Sequence, residues 1–380
     1  MNYEIVIGLE THVELSTESK IFCSCGGHSS PKAANDCVCP ACSGMPGMLP
    51  VMNKRVVELA VTAGLMLNCN INRYTTFDKK NYYYPDLPCA YQITQLNHPI
   101  CTDGCVTIKT GAGARDIRIK QIHMEEDAGK LVHDDWTDTT LVDFNRTSVP
   151  LIEIVSQPDL SSAEEVEAYL IRLRTLLRYA KVAECEMAHG TMRCDVNLSV
   201  RPAGSDVLGV RTEMKNMNSI EAIKRAIAYE TERHIDAIEN GTEVLVQETR
   251  RWDDAKGKSY AMRSKETAGD YRYFPDPNIM PVVIDDEWYG RIEDSLPELP
   301  EVKRAKYIDE MGLSEYDADQ LVSSRALCDV FEDAVAVCGS AKEAANWIIT
   351  DCMQVLNKKK MTADMLAING ISLGQLIKLV

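Results

Sequence analysis

Residues 5–15 read Ile5-Val6-Ile7-Gly8-Leu9-Glu10-Thr11-His12-Val13-Glu14-Leu15, and their alternation decides the fold class. Ile5, Ile7, Leu9, Thr11, Val13 and Leu15 share one side; Val6, Gly8, Glu10, His12 and Glu14 share the other. A period of two belongs to a strand, and one packed face with one polar face belongs to an antiparallel sheet. Residues 193–201 repeat it, with Cys194, Val196, Leu198 and Val200 against Arg193, Asp195, Asn197, Ser199 and Arg201. A polar face is either solvated or the floor of a site. Glu, His, Asp, Asn and Arg gathering on several such strands begin to look like a floor.

Three helices interrupt the strands. They are 53–67, 163–180 and 219–238, the second introduced by the capping signal Ser161-Ser162-Ala163-Glu164-Glu165. Pro297 and Pro300 mark a boundary, after which the chain turns to short amphipathic helices. These are expected at roughly 300–311, 315–323, 326–337, 341–356, 361–368 and 372–380. The expected architecture is α+β. Residues 1–293 form a large domain with an antiparallel sheet and flanking helices, and residues 294–380 form a small all-α helical domain. The last stretch, ISLGQLIKLV, ends apolar without a stop signal, so further chain beyond Val380 is expected.

The 45% hydrophobic and 26% charged residues exclude a disordered chain. No apolar run approaches about 18 residues, so neither a signal peptide nor a membrane span is expected, and a cytoplasmic protein is. A net charge of -16 argues against gripping nucleic acid by bulk charge. Any RNA partner would then be met by local basic patches or by another polypeptide of an assembly.

Five of the 14 Cys fall between Cys23 and Cys42. In a reducing compartment clustered cysteines are metal ligands more often than disulfides. Cys23-x-Cys25 and Cys39-x-x-Cys42 give two short thiolate pairs that can close around tetrahedral Zn²⁺. Cys37 is a fifth candidate, and reduced free thiols are the alternative.

Glu10-x-His12-x-Glu14 and His123-Met124-Glu125-Glu126-Asp127 form a second set. Carboxylates with an imidazole suit Mg²⁺ or Mn²⁺, and Mg²⁺ usually accompanies phosphates. Lys79-Lys80-Asn81-Tyr82-Tyr83-Tyr84-Pro85-Asp86 reads as a loop that holds phosphate and stacks on a base, or as an aromatic loop packed on the sheet. Glu153, inside Leu151-Ile152-Glu153-Ile154-Val155, either pairs with Arg146 or is a functional carboxylate. No P-loop, nucleophile elbow or dinucleotide fingerprint is present. These residues by themselves reach a metal-dependent enzyme, or binder, of phosphorylated ligands.

The runs YEIVIGLETHVEL (3–15), CPACSGMPGMLPVMN (39–53), FDKKNYYYPDLP (77–88), MEEDAGKL (124–131), DFNRTSVPLIEIVSQPD (143–159), RCDVNLSVRP (193–202), EMKNMNS (213–219), QETRRWD (247–253) and MRSKETAGDYRYFPDP (262–277) resemble the B-type subunits of the aspartyl/glutamyl-tRNA amidotransferases, the GatB family. They follow the family order and reach from Tyr3 to Pro277. The resemblance implies a large "cradle" domain with an antiparallel sheet, then a helical domain. It implies an ATP-dependent carbon–nitrogen ligase with glutamine as amido donor. Such an enzyme phosphorylates the side-chain carboxylate of Glu-tRNA(Gln) or Asp-tRNA(Asn), and ammonia then displaces the phosphate. A separate amidase (glutaminase) subunit would supply the ammonia and a small third subunit would complete a heterotrimer, with misacylated tRNA as substrate and no membrane partner.

Residue by residue, the resemblance makes His12, Glu125 and Glu10 the Mg²⁺ ligands, with Glu126 a further candidate. It places Lys79 and Tyr82 in the loop lining the catalytic and ATP-binding site. It makes Cys23, Cys25, Cys39 and Cys42 a structural Zn²⁺ site found in some members. Cys89 stands where the family usually has Lys, and Ser148 where it usually has Gly. The family also usually carries a C-terminal tail domain that contacts tRNA, so the helical domain is expected to be cut short before it. The rival readings are a zinc-containing scaffold without chemistry and a stand-alone kinase or ligase for a small carboxylic acid.

Overall fold

The computed structural model describes residues 2–27, 33–134, 136–264 and 271–380. Residues 28–32 of the Cys-rich loop and 265–270 of the run 262–277 lie outside the described residues. Two compact units divide the chain, Met1–Leu296 and Pro297–Val380. No described helix is long and apolar enough to cross a membrane.

The strands in chain order are β1 (Tyr3–Glu14), β2 (Asn70–Ile71), β3 (Tyr74–Thr75), β4 (Asp78–Asn81), β5 (Tyr91–Thr94), β6 (Cys101–Thr110), β7 (Gly113–Glu126) and β8 (Lys130–Asp134), followed by β9 (Thr139–Asp143), β10 (Pro150–Ser156), β11 (Met192–Pro202), β12 (Thr212–Lys215), β13 (Glu248–Asp253), β14 (Lys258–Ser264), β15 (Phe274–Pro275) and β16 (Val282–Val283). Among the described residues nine of them make the main sheet, in the order β14-β13-β12-β11-β1-β10-β7-β6-β2. β1 lies centrally, antiparallel to β10 and to β11. From Ile7 onward its apolar set is buried as the alternation requires, Ile7, Leu9, Thr11 and Val13 being 1% exposed or less, whereas Ile5 is half-buried and Val6 and Gly8 of the other face are buried too. Thr11 tolerates this because its hydroxyl reaches Cys194 Sγ at 3.8 Å.

Helices α1 (Lys54–Met66), α2 (Ala163–Tyr179) and α3 (Ile220–Asn240) bring buried apolar stripes to this unit. α2 turns inward Val166, Leu170, Leu173 and Leu177, each contributing about 1.5–3 kcal/mol by leaving water. Its cap is reciprocal: Ser162 Oγ accepts from Glu165 N–H, and Glu165 Oε2 accepts from Ser161 N–H at 2.7 Å. α3 starts at the Ser219 cap, one residue after Asn218, and runs to Asn240, beyond the expected 238, ending at Gly241 with φ 64°. A fourth helix, α4 (Asp286–Asp294), was not expected. Its signal is Asp285, whose side chain accepts from Trp288 N–H as an N-cap.

One departure from an antiparallel sheet is the β12–β13 pair, which is parallel. α3 lies between these strands in the chain, and a crossover of that length returns the next strand in the same direction. This edge is held by buried charge. Glu230 is fully buried and faces Arg233 at 2.8 Å, Arg250 at 3.2 Å and the Ser259 hydroxyl. One turn on, His234 meets Thr212 Oγ1 of β12 at 2.9 Å and Glu230 at 3.8 Å, with Arg233, Arg250 and Glu243 around it.

Burial first, and then the Arg233 charge, pull the His234 pKa down to about 4. The unfolded chain takes up a proton on this group below about pH 6.5 while the folded chain does not. Its share of stability is therefore whole above that pH and is lost as pH falls toward 4, by at most about 1.4 kcal/mol per unit. His234→Gln should flatten the pH dependence of the urea midpoint between pH 4 and 6.5. A slope identical to wild type would refute this.

The second unit contains α5 (Pro300–Asp309), α6 (Glu315–Val322), α7 (Arg325–Cys338), α8 (Ala341–Trp347), α9 (Met353–Lys359) and α10 (Gly370–Leu379). Pro300 opens α5 at a position where a missing N–H costs nothing. The stretch expected as one helix at 341–356 is α8 and α9 joined by a π turn over Ile348–Cys352.

Candidate functional site

The polar face of the main sheet is built by register. Arg193, His12, Glu153 and His123 lie in one row across β11, β1, β10 and β7. Glu125 is two residues along from His123 on β7, hence on the same face. His12 Nε2 lies 3.4 Å from Glu125 Oε1 and 3.4 Å from Glu153 Oε2. His123 Nε2 lies 3.1 Å from Glu153 Oε2 and 3.7 Å from Glu125 Oε2. Glu153 thus faces two imidazoles, and the ion pair with Arg146 is not made: Arg146 and Arg193 both turn to Asp127, at 3.2 and 2.9 Å.

Burial opposes charge on these imidazoles, but Glu153 and Glu125 outweigh it and hold His12 up at about 9 and His123 at about 10. Glu125 and Glu153 are held below the usual carboxylate range against their burial, largely by those same rings. One ligand atom from each of His12, Glu125 and Glu153 lies within 4.8 Å of the other two. Two carboxylates and an imidazole fit a hard or borderline divalent cation, which competes with the proton on His12.

Glu10 is on the same face but in a different group. It gathers with Asp195 and Glu213, which also offer ligand atoms within 4.8 Å of one another. Lys215 Nζ bridges Asp195 and Glu213, the latter at 3.1 Å, and Asn197 Nδ2 donates to Glu10 Oε1 at 2.9 Å. Glu213 and Lys215 escaped the sequence reading. The period-2 run Thr212-Glu213-Met214-Lys215 was a signal, though four residues are short for a strand assignment. Beyond Glu10 a cleft of about 280 Å³ is lined by Val6, Gly8, Pro158, Asn197, Leu208 and Arg211. Asn197 Oδ1 is buried there without a hydrogen-bond partner among the described residues.

A small sheet, β15-β4-β5, carries Lys79 and precedes Tyr82. It is joined to the end of β7, where Thr94 Oγ1 reaches Glu125 Oε2 at 3.4 Å and Ile93 N–H donates to Glu126 Oε1 at 3.0 Å. Lys79 is nearly buried, 4.2 Å over the Tyr91 ring and 3.8 Å from Asp276. Tyr82 Oη is 3.4 Å from Gln92 Oε1, and the ring packs edge-on to Tyr84 and Tyr271. Burial, and next the Glu125 charge, raise the Tyr82 phenol above its ordinary value. The loop therefore packs upon itself and also borders the His12 group.

Glu126 is turned aside from that group, accepting from Ser148 Oγ at 2.6 Å as well as from Ile93. Ser148 has φ 61°, a conformation that glycine takes freely. The hydrogen bond to Glu126 offsets part of that cost. Cys89, Tyr91, Glu126 and Ser148 line a cavity of about 250 Å³ whose other wall includes Cys23 and Cys42.

Cys23, Cys25, Cys39 and Cys42 converge with their sulfurs within 4.8 Å of one another. Cys37 stays outside, its thiol turned to the Gly26 carbonyl at 3.6 Å. Cys42 Sγ accepts the Cys39 N–H at 3.2 Å and the ammonium of fully buried Lys20 at 3.5 Å. A hydrogen bond from Cys23, opposed by burial and helped by Cys39 and Lys20, holds Cys42 down to about 4. Four convergent cysteine sulfurs, which would bind as thiolates, fit tetrahedral Zn²⁺ with no open position, a structural site.

The family described as "GatB/GatE catalytic domain" matches residues 5–290, and the one described as "GatB domain" matches 329–380. The aspartyl/glutamyl-tRNA(Asn/Gln) amidotransferase B-type subunit of Agathobacter rectalis is 52% identical over 383 residues, covering 100% of this chain and 79% of that protein. The protein of the same name from Caldicellulosiruptor bescii is 52% identical over 373 residues, covering 98% and 77%. That from Thermoanaerobacter pseudethanolicus is 49% identical over 384 residues, covering 100% and 79%. With a match across most of the first unit and half its residues shared with such relatives, the chain belongs to the family of B-type subunits of the aspartyl/glutamyl-tRNA(Asn/Gln) amidotransferases.

Proposed function

We propose that this chain uses ATP to phosphorylate the side-chain carboxylate of a misacylated tRNA, Glu-tRNA(Gln), Asp-tRNA(Asn) or both, and then hosts its amidation. The convergence of His12, Glu125 and Glu153 on one polar sheet face carries the reading. A scaffold would have no use for a desolvated, like-charged pair of carboxylates there.

A carboxylate has no good leaving group at neutral pH. Its oxygen attacks the γ-phosphorus, ADP departs, and the acyl phosphate that results offers phosphate as leaving group to ammonia. When bound, Mg²⁺ offsets the repulsion between phosphates and carboxylate, and His12, Glu125 and Glu153 are the residues that would hold it. Glu10, Asp195 and Glu213, the last two bridged by Lys215, form a second acidic group on the nucleotide side. The cleft beyond Glu10 suits the nucleoside: Val6, Pro158 and Leu208 supply apolar walls, and Asn197 Oδ1 is an acceptor for an exocyclic amine. Lys79 and Tyr82 border the opposite side, where phosphate oxygens and the reacting carboxyl would need a cation and a hydrogen-bond donor.

Residues 1–296 are the catalytic cradle in this reading, and 297–380 a helical unit. Glutamine hydrolysis falls to a separate amidase, and a small third polypeptide completes the heterotrimer. The setting is the cytoplasm, where aminoacyl-tRNA is used. The test combines the chain with those two partners, Mg²⁺, labelled ATP and each misacylated tRNA. ADP should appear only with Glu-tRNA or Asp-tRNA, and the preferred one names the substrate. ADP formation indifferent to tRNA would point instead to a ligase for a small carboxylic acid.

A further inference from the structure

The row that carries His12 and Glu153 continues onto β7, and its next member stands outside the cation group. Glu153 is paired with His12 on one side and with His123 on the other, so an imidazole stands on each neighbouring strand. His123 is nearly as buried as Glu125. Its Nε2 lies 3.1 Å from Glu153 Oε2 and 3.7 Å from Glu125 Oε2. Yet the residues whose ligand atoms gather within 4.8 Å of one another are His12, Glu125 and Glu153, without it. A buried imidazole that reaches both carboxylates of a cation seat, and is not itself in the seat, can act through them.

Like-charged, Glu125 and Glu153 repel one another across the seat, and their rotatable side chains could turn apart. Glu125 is held from outside. Its Oε2 faces His123 and, at 3.4 Å, the Thr94 hydroxyl, which leaves Oε1 toward His12 at 3.4 Å. Glu153 is held likewise, its Oε2 lying 3.1 Å from His123 and 3.4 Å from His12. One ring thus keeps both carboxylates turned to the same place. Gln121, two residues before His123 and so on the same strand face, has its Nε2 3.4 Å from His123 Nδ1. That amide nitrogen only donates, so in the neutral ring Nδ1 accepts and the hydrogen sits on Nε2. The ring keeps a donor for the carboxylates whether or not it is charged.

We propose that His123 is a positioning residue of the cation seat on which the function proposed above rests, orienting Glu125 and Glu153 so that both are presented beside His12. A ligand that must first be turned into place gives up binding energy for its ordering, so the partners of metal ligands set affinity along with the ligands. Two other uses of the ring make different demands. A ring that served as a substitute cation would compete with the metal, and its removal would tighten metal binding. A ring that only packed the sheet would leave metal affinity alone and affect stability.

Mn²⁺ binding to the intact chain, followed through the electron spin resonance of the free ion, gives the test. The seat is the component of binding that Glu125→Ala removes. For that component His123→Leu should raise the dissociation constant about 10–100-fold, and His123→Gln, which keeps an N–H, should recover most of the loss. In the assembled enzyme His123→Leu should need about 10-fold more Mg²⁺ for half-maximal ADP release with misacylated tRNA, with kcat at saturating Mg²⁺ within about threefold of wild type. Mn²⁺ bound equally well or more tightly by His123→Leu overturns the assignment, and so does a loss of kcat that Mg²⁺ does not restore. Urea unfolding accompanies each variant; should His123→Leu not fold, His123→Met against His123→Gln makes the same comparison. If Glu125→Ala removes no Mn²⁺ binding, the seat and the positioning role fall together. If the Mn²⁺ results hold but wild type releases no ADP with misacylated tRNA, His123 keeps its role and the phosphorylation reading alone fails.

Discussion

Glu125→Ala is expected to lower misacylated-tRNA-dependent ADP release about 10³-fold or more in the assembled enzyme, a barrier increase of about 4 kcal/mol. Glutamine hydrolysis by the partner amidase should remain measurable. The reasoning is local: Glu125 supplies one of two carboxylates that face His12 at 3.4 Å, and alanine leaves His12 and Glu153 alone to hold a dication. Glu153→Gln should lose a similar amount, because it removes the other carboxylate while keeping the volume. Both changes also break a buried charged group, which typically destabilises by about 3–5 kcal/mol. Unfolding curves and zinc content must therefore accompany the kinetics. Glu10→Gln separates the two acidic groups, since it should raise the KM for ATP more than it lowers kcat. Unchanged amide formation in Glu125→Ala would remove the site assignment.

Cys42→Ser should release the metal. Zinc is expected near one per chain in wild type purified without chelator, and near zero in the variant. Changes in the outer sphere of a metal site alone cost about 10–100-fold in affinity, and loss of a thiolate ligand should exceed that. Lys20 adds to the effect: its fully buried ammonium has the Cys42 sulfur at 3.5 Å and otherwise only the carbonyls of Cys37 and Phe144 among the described residues. With serine there, the anion that compensates it is gone and the 20–42 region should melt earlier. Cys37→Ser is the control, because that thiol faces Gly26 and should leave zinc content unaltered. Equal zinc in Cys42→Ser and wild type, or loss in Cys37→Ser, would overturn the ligand set.

Local pattern carried much of this protein. The alternation of residues 5–15 and 193–201 named both strands and their polar faces, and capping signals placed α2 and α3 within about two residues, since hydrogen bonds at helix ends depend only on near neighbours. The two thiolate pairs were likewise legible, because each spans three or four residues. The Glu10, His12, Glu125 set named from the resemblance was sorted only by the structure. Glu10 and His12 share a strand face, yet register across β10 and β11 gives His12 to Glu153 and Glu10 to Asp195. Glu153 opposes His12 from far along the chain. Arg146, its nearby candidate partner, is drawn off to Asp127. Likewise only α3 crossing over made β12 and β13 parallel. Spacing along a chain determines what a segment can be; which side chains then meet is decided by strand pairing, whose partners no local pattern names.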